Sequence, residues 1–297
     1  MCYDFKSLGE KEEIIKRKIS FKKQHQDKVP GIESIMIPRP IFDDTSHKGT
    51  DKLKDKVAVI TGGDSGIGRA VAVLFAKEGC DIVIVYLNET EDALETKKCV
   101  EKYGRKCLLI QGDLKDEKFS KFIVNNTIEA LGKINILVNN CGVQYVKNSI
   151  FDISAKQLKN TFETNIFSFF YLTKEVLPFL NKNDCIINTS SINAFRGNKK
   201  LIDYSATKGA ITAFTKSLAK SLVNKKIRVN EVAPGPIWTP LIPASFSEDD
   251  VEVFGTDTPL RRPAMPCEVA PAYLYLACDD SSYVTGQTIH VNGGTII

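Results

Sequence analysis

The sequence predicts an α/β fold, a single domain built on one doubly wound parallel sheet of about seven strands, preceded by an N-terminal arm. Three observations carry this. Short apolar runs alternate with longer helical stretches, the pattern of strands buried on both faces beneath crossover helices. The first apolar run passes through a glycine-rich turn straight into a helix. Polar residues then recur just after the strands, on the sheet edge where ligands bind in such folds.

Order begins at residue 57. The run 57–61 (VAVIT) is a buried strand. It leads into Thr61-Gly62-Gly63-Asp64-Ser65-Gly66-Ile67-Gly68 and then a helical stretch, RAVAVLFAKEG. Glycines in that context let the backbone approach a pyrophosphate, and the helix N-terminus offers N–H donors. The spacing, Gly62-x-x-x-Gly66-x-Gly68, differs from the more common G-x-G-x-x-G. Further strands are expected at 80–86, 107–113, 134–140, 185–191, 227–235 and 287–294. Helices are expected up to Tyr103, up to Leu131, over 155–181 and over 203–223. In the third, Phe162, Ile166, Phe169, Phe170 and Leu177 make the apolar side. Gly62, Asp113, Asn139, Ser191 and Pro234 then fall after the first, third, fourth, fifth and sixth strands, on one edge.

Residues 1–50 lack a strong pattern. Residues 11–28 mix charge with Ile14, Ile15, Ile19 and Phe21, as a short amphipathic helix would. Pro30, Pro38 and Pro40 favour an extended path. Ile32, Ile35, Met36, Ile37, Ile41 and Phe42 are too many apolar side chains to leave in water. Residues 30–42 should therefore pack on the body, near or across a subunit interface, with residues 1–20 more mobile; the alternative is a disordered tether.

Composition excludes several classes. The chain has 297 residues, 43% hydrophobic and 26% charged, enough for a sizeable core. Residues 1–56 hold 13 Lys and Arg against 10 Asp and Glu, leaving 27 against 26 elsewhere, so there is no concentrated basic face for nucleic acid. No apolar run reaches the length of a membrane span, and the first residues lack a signal-peptide core. Eight scattered cysteines without Cys-x-x-Cys point to reduced thiols in the cytoplasm. Three histidines without ligand spacing give no metal site.

Chemistry concentrates at Tyr204-Ser-Ala-Thr-Lys208. On a helix, residues four apart share a face. A lysine cation beside a phenol stabilises the phenolate and suits the pair to proton transfer near neutrality. Taken alone, this spacing also fits two side chains on a solvated helix. Ser191, thirteen residues upstream, adds a hydroxyl on the same sheet edge.

Together, TGGDSGIG (61–68), GDL (112–114), NNCG (139–142), Asn165, Ser191, YSATK (204–208) and PGPIWT (234–239) resemble the short-chain dehydrogenase/reductases over about residues 54–297. The glycine loop, the arm with its Pro-Gly-Ile segment and PGPIWT look closest to a bacterial branch. That branch is labelled glucose/ribitol dehydrogenase-like, general-stress or aldehyde reductase. One departure is Cys141 where the family usually has alanine; its small size should only tighten packing slightly.

The resemblance implies a Rossmann-like, dinucleotide-binding catalytic domain over 51–297, with an arm over 1–50. It implies an NAD(P)-dependent oxidoreductase that interconverts an alcohol and an aldehyde or ketone. Tyr204 would be the general acid or base. Lys208 would hold the nicotinamide ribose and lower the Tyr204 pKa. Ser191 would bind the substrate oxygen, and Asn165 would order a water toward Lys208. Cofactor contacts would come from Gly62, Asp64, Ser65, Gly66, Ile67, Gly68, Tyr86, Asp113, Leu114, Asn140, Tyr204, Lys208, Pro234, Gly235, Ile237 and Thr239. The family also implies a homotetramer or dimer, a small carbonyl or alcohol substrate, and no nucleic-acid or membrane partner.

Tyr86 stands where an acid would select NAD(H), which favours NADP(H), with NAD(H) as the alternative. The loop nevertheless carries Asp64-Ser65 and no Arg or Lys. Residues 236–266 form a long proline-punctuated connection of the kind that acts as a lid. In it, Trp238, Leu241, Ile242 and Phe246 either line an apolar pocket or pack in the core. Two alternatives stay open: a ketoreductase for carrier-bound acyl chains, which would want a basic patch by the site, and a non-catalytic nucleotide sensor.

Overall fold

The computed structural model describes residues 20–297. The expected mobility of the first residues, and the first half of the expected amphipathic helix, fall on residues 1–19, outside that range.

Seven parallel strands form one sheet in the order β3-β2-β1-β4-β5-β6-β7. They are β1 (Val57–Thr61), β2 (Asp81–Tyr86), β3 (Cys107–Gln111), β4 (Ile136–Asn139), β5 (Cys185–Thr189), β6 (Arg228–Pro234) and β7 (Thr288–Val291). The order reverses between β1 and β4, which opens a crevice at their carboxyl ends. Every residue of β1, β4, β5 and β6 is buried, as expected of central parallel strands covered on both faces, including the polar Arg228, Asn230 and Glu231 of β6.

Helices cover both faces. On one lie α1 (Gly66–Lys77), α2 (Thr90–Glu101) and α9 (Pro266–Ala277), packed through Ala70, Phe75, Val269 and Tyr273. On the other lie α3 (Glu117–Leu131), α5 (Ser168–Val176) and α7 (Ile202–Leu222), packed through Ile123, Leu172 and Leu222. The shorter α4 (Ala155–Phe162), α6 (Asn193–Arg196) and α8 (Glu248–Glu252) lie in the connections. No helix among the described residues is long and apolar enough to cross a membrane.

Several expectations need correction. The stretch 155–181 is helical without a break over 155–179, but not uniformly α: a π turn over Glu163–Phe167 joins α4 to α5, and a 3-10 turn over Leu177–Phe179 ends it, where Pro178 lacks an N–H. Phe170 of its supposed apolar side is exposed, its ring tilted against Phe214 at 4.4 Å between centroids. Helix α9 stands where the sequence suggested none, because Pro266 and Pro271 disguise its pattern; Pro266 occupies the first turn, where no N–H is needed. Residues 20–28 are not helical, and the proline segment runs in bends rather than fully extended.

The arm does lie on the body, but not with all its apolar side chains. Met36 is buried beside Phe21, Trp238, Ile242 and Val251, whereas Ile35, Ile37 and Ile41 are exposed on the single chain. Phe21 stacks on Trp238 at 3.8 Å between ring centroids, and the Trp238 indole donates to Pro38 O at 2.8 Å. Trp238 is thus a core residue, which settles the choice left open for it.

Candidate active site

The site lies at the strand ends, in the crevice the topology predicts. Asn140, following β4, fixes its floor: its N–H donates to Thr61 Oγ1 at 2.8 Å and its Nδ2 to Thr61 O at 3.1 Å and Gly62 O at 3.2 Å. That ties the glycine loop to the crossover point. The loop turns tightly enough that an added Cβ on Gly68 would stand 1.9 Å from Gly62 O. Only glycine permits this approach.

A cavity of about 400 Å³ runs along these ends. Gly62, Asp64, Ser65, Gly66, Ile67, Tyr86, Asp113, Leu114 and Asn140 line it. So do Ser191, Tyr204, Lys208, Pro234, Gly235, Ile237 and Thr239. Two expected residues do not. Gly68 is spent on closing the loop. Asn165 is fully buried, accepting from Val143 N–H at 2.8 Å and donating to Val143 O at 2.8 Å and Thr207 Oγ1 at 3.1 Å. Its Oδ1 nevertheless flanks Gly142 on the side that Lys208 Nζ approaches.

Helix α7 presents Tyr204 and Lys208 on one face, as the four-residue spacing requires. Lys208 Nζ lies 5.5 Å from the Tyr204 ring centroid and donates to Thr189 O at 2.8 Å. Ser191 follows β5 and stands beside the Tyr204 phenol, its Oγ accepting from Asn193 N–H at 3.1 Å. Burial pushes Tyr204 up to about 12, with the Ser191 hydroxyl pulling the other way. The expectation that Lys208 lowers this phenol therefore does not hold here: the lysine is engaged with Thr189 and burial dominates. Burial pushes Lys208 itself down to about 8, opposed by Cys141 and Glu231. Cys141 is half-buried, its Sγ directed at Thr164 O, and burial raises its thiol pKa.

Sequence reading missed other parts of the wall. Val29, Pro30 and Gly31 of the arm line the cavity, as do Glu89, Lys115, Gln144 and Tyr145, beside Leu241, Ile242 and Phe246 of the long connection, for which pocket lining was one of the two expectations. Gln144 donates to Ser245 Oγ at 2.8 Å, joining the β4 end to the long connection. Glu89 carries a weak signal in the sequence, an acid just past the end of β2. The arm residues carry none, because only the folded chain brings them across. Among the described residues no cluster has the make-up of a metal site.

The comparisons agree with this geometry. A family model described as enoyl-(acyl carrier protein) reductase, adh_short_C2, matches residues 62–295. An uncharacterized oxidoreductase of Bacillus subtilis, YhxC, is 65% identical over 274 residues, covering 92% of this chain and 95% of that one. An Arabidopsis thaliana NADPH-dependent aldehyde reductase, chloroplastic, is 46% identical over 282 residues, covering 93% and 98%. Among solved structures, a Burkholderia cenocepacia short-chain dehydrogenase in complex with NADP superposes with a TM-score of 0.77 at 28% identity, covering 82% of this chain and 98% of that one. With the sheet order, the glycine loop and the grouping of Ser191, Tyr204 and Lys208, these matches place the chain in the short-chain dehydrogenase/reductase family.

Proposed function

We propose that this oxidoreductase interconverts an alcohol and an aldehyde or ketone with a nicotinamide dinucleotide, using Tyr204 as general acid in reduction and base in oxidation. The observation that carries the reading is the convergence of Tyr204, Ser191 and Lys208 on the cavity that the glycine loop also lines. The residues fit the dinucleotide: the loop brings bare backbone to the start of α1, and Asp64 is a buried acid without a cation partner among the described residues, suited to ribose hydroxyls. Held there, the dinucleotide supplies the hydride.

The chain's own residues supply the rest. Tyr204 is protonated at neutrality and donates to the carbonyl oxygen as negative charge develops on it. Ser191 Oγ donates to the same oxygen. Lys208 would hold the ribose and replenish the proton. Asn165 would order a water toward Lys208 through the π turn that carries it, its side chain being spent on Val143 and Thr207. Gly62, Ser65, Gly66 and Ile67 would take the pyrophosphate, with Asp113, Leu114 and Tyr86 about the adenosine.

Cofactor choice is read differently from the sequence alone. Asp64 and Glu89 both line the β2 end of the cavity. Burial, with Glu89 and Asp92 adding to it, pushes Asp64 up to about 7. Arg69 reaches Asp64 O but is committed to Glu33, Asp92 and Glu95. Lys115, on the β3 side, pairs with Asp113 at 3.4 Å. A 2′-phosphate would face Glu89 and a partly ionised Asp64, so we favour NAD(H) over the expected NADP(H). The NADP(H) reading keeps support from the Burkholderia complex and the Arabidopsis relative's name. Steady-state rates with both cofactors across carbonyls and alcohols test the function. The kcat/KM ratio should favour NADH, and Asp64→Asn should shift it toward NADPH by on the order of 10-fold, about 1.4 kcal/mol. An unmoved ratio would remove Asp64 from selection, and no turnover with either cofactor would remove the enzyme reading.

For the assembly we favour a homotetramer or dimer. Phe122 of α3 and Phe170 of α5 are both about half exposed on adjacent helices, an apolar face suited to a helix-to-helix interface. The seven cysteines among the described residues are all free, which supports a reducing, cytoplasmic setting.

A further inference from the structure

Glu33, in the arm, is fully buried against the glycine loop. Its Oε2 accepts the N–H of Gly66, the first residue of α1, at 2.6 Å. Its Oε1 pairs with Arg69 Nη1 at 2.6 Å. Arg69, also fully buried, continues to Glu95 at 3.0 Å and Asp92 at 3.4 Å, and its Nε donates to Asp64 O at 3.0 Å. The Glu33 N–H donates to Asp92 Oδ2 at 2.9 Å. One arm residue thus joins the start of α1, the start of α2 and, through Arg69, the backbone of the glycine loop.

Charge and sterics fit this arrangement. A carboxylate is favoured at a helix N-terminus. Here the Arg69 guanidinium, shared with Asp92 and Glu95, offsets part of its charge and so part of the repulsion a phosphate would meet at the same helix end. The neighbouring arm residues close against the long connection. An added Cβ on Gly31 would stand 2.4 Å from Pro240 O, and Gln26 N–H donates to Pro243 O at 2.8 Å. Gln26 also brackets Ile32, donating to its O at 2.9 Å and accepting its N–H at 2.7 Å, which fixes the 26–33 turn. The arm therefore spans from the glycine loop to the connection that covers the opposite wall.

We propose that residues 29–33 of the arm are an integral part of the dinucleotide site, and that Glu33 is a positioning residue holding the glycine loop in its ligand-accepting shape. This rests on the dinucleotide reading above. Without Glu33 the Gly66 N–H and Arg69 each lose a partner, and the loop must be reordered when the ligand binds. The coupling between arm and ligand is then of the kind that changes affinity by roughly 5–150-fold.

The test titrates full-length wild type, Glu33→Ala and Glu33→Gln with NADH and NADPH by fluorescence, beside steady-state rates. Glu33→Ala is expected to raise cofactor Kd and KM by on the order of 10-fold. The carbonyl KM and the kcat at saturating cofactor should stay within about 2-fold, because no contact to the reacting atoms is lost. Glu33→Gln, which keeps an acceptor for Gly66 N–H, should recover part of the loss. A lower melting temperature with unchanged cofactor Kd would make Glu33 a merely structural residue and overturn the proposal. Wild type that binds neither cofactor would overturn this proposal and the dinucleotide reading together. Should Glu33→Ala not fold, hydrogen exchange on wild type decides. Cofactor is expected to slow exchange of the amides at 31–34, and an unchanged arm beside a protected glycine loop would overturn the proposal.

Discussion

Tyr204→Phe is expected to lower turnover by about 100-fold or more, the size of effect that follows loss of a general acid. Its cofactor affinity and melting temperature should hardly change. The phenol is buried, and the substitution removes one oxygen while leaving the ring that packs on α7 and the Lys208 ammonium. Ser191 alone would then polarise the carbonyl, with no proton to deliver at the developing alkoxide. Because burial holds the phenol near 12, the wild-type residue is protonated throughout the neutral range and ready to act in reduction. Steady-state rates beside a fluorescence titration with cofactor check this. Turnover near the wild-type rate would remove Tyr204 from the chemistry.

Deleting residues 1–45 is expected to produce the largest loss of stability. Phe21 and Met36 are buried by the contact, and each such side chain contributes roughly 1.5–3 kcal/mol at full burial. The deletion also strips Trp238 of its stacking partner and its indole N–H of Pro38 O. A buried donor left unpaired costs about 1–3 kcal/mol. Arg69 loses its pairing with Glu33 and keeps those with Asp92 and Glu95. Ordering the arm offsets part of this gain. At about 2–4 °C per kcal/mol, the melting temperature should fall by about 10 °C. Thermal melts and light scattering on both chains read stability and assembly together. A truncated chain that melts and assembles like the full one would make the arm a tether.

The sheet was legible because strands buried on both faces have to be written as unbroken apolar runs, as in VAVIT and DIVIVY. The placement of Ser191, Tyr204 and Lys208 followed from strand ends and a four-residue helical spacing, both local properties. What escaped was not local. Glu33 reads as one acid in an apolar stretch, and its partners lie 33 and 36 residues on, at Gly66 and Arg69. The π turn at Glu163–Phe167 leaves the periodicity of 155–181 nearly intact, so it is invisible in the pattern. Pro266 and Pro271 conceal α9 because proline reads as a helix breaker unless its unsatisfied N–H position is known. The Tyr204 pKa was misjudged for a related reason: the lysine is visible in the sequence, whereas the burial that outweighs it is a sum over the whole fold.

The central claim is hydride transfer to a carbonyl carbon by a dinucleotide held at the strand ends, and isotope labelling tests it most directly. The full chain is incubated with NADH or NADPH carrying deuterium at the transferable nicotinamide position, together with a series of aldehydes and ketones. The alcohol product is then read by mass spectrometry and NMR. The account predicts one deuterium on the carbinol carbon of at least one product, formed in step with cofactor oxidation and lost in Tyr204→Phe. Cofactor oxidation without deuterium on that carbon, or no alcohol from any carbonyl with either cofactor, would contradict it.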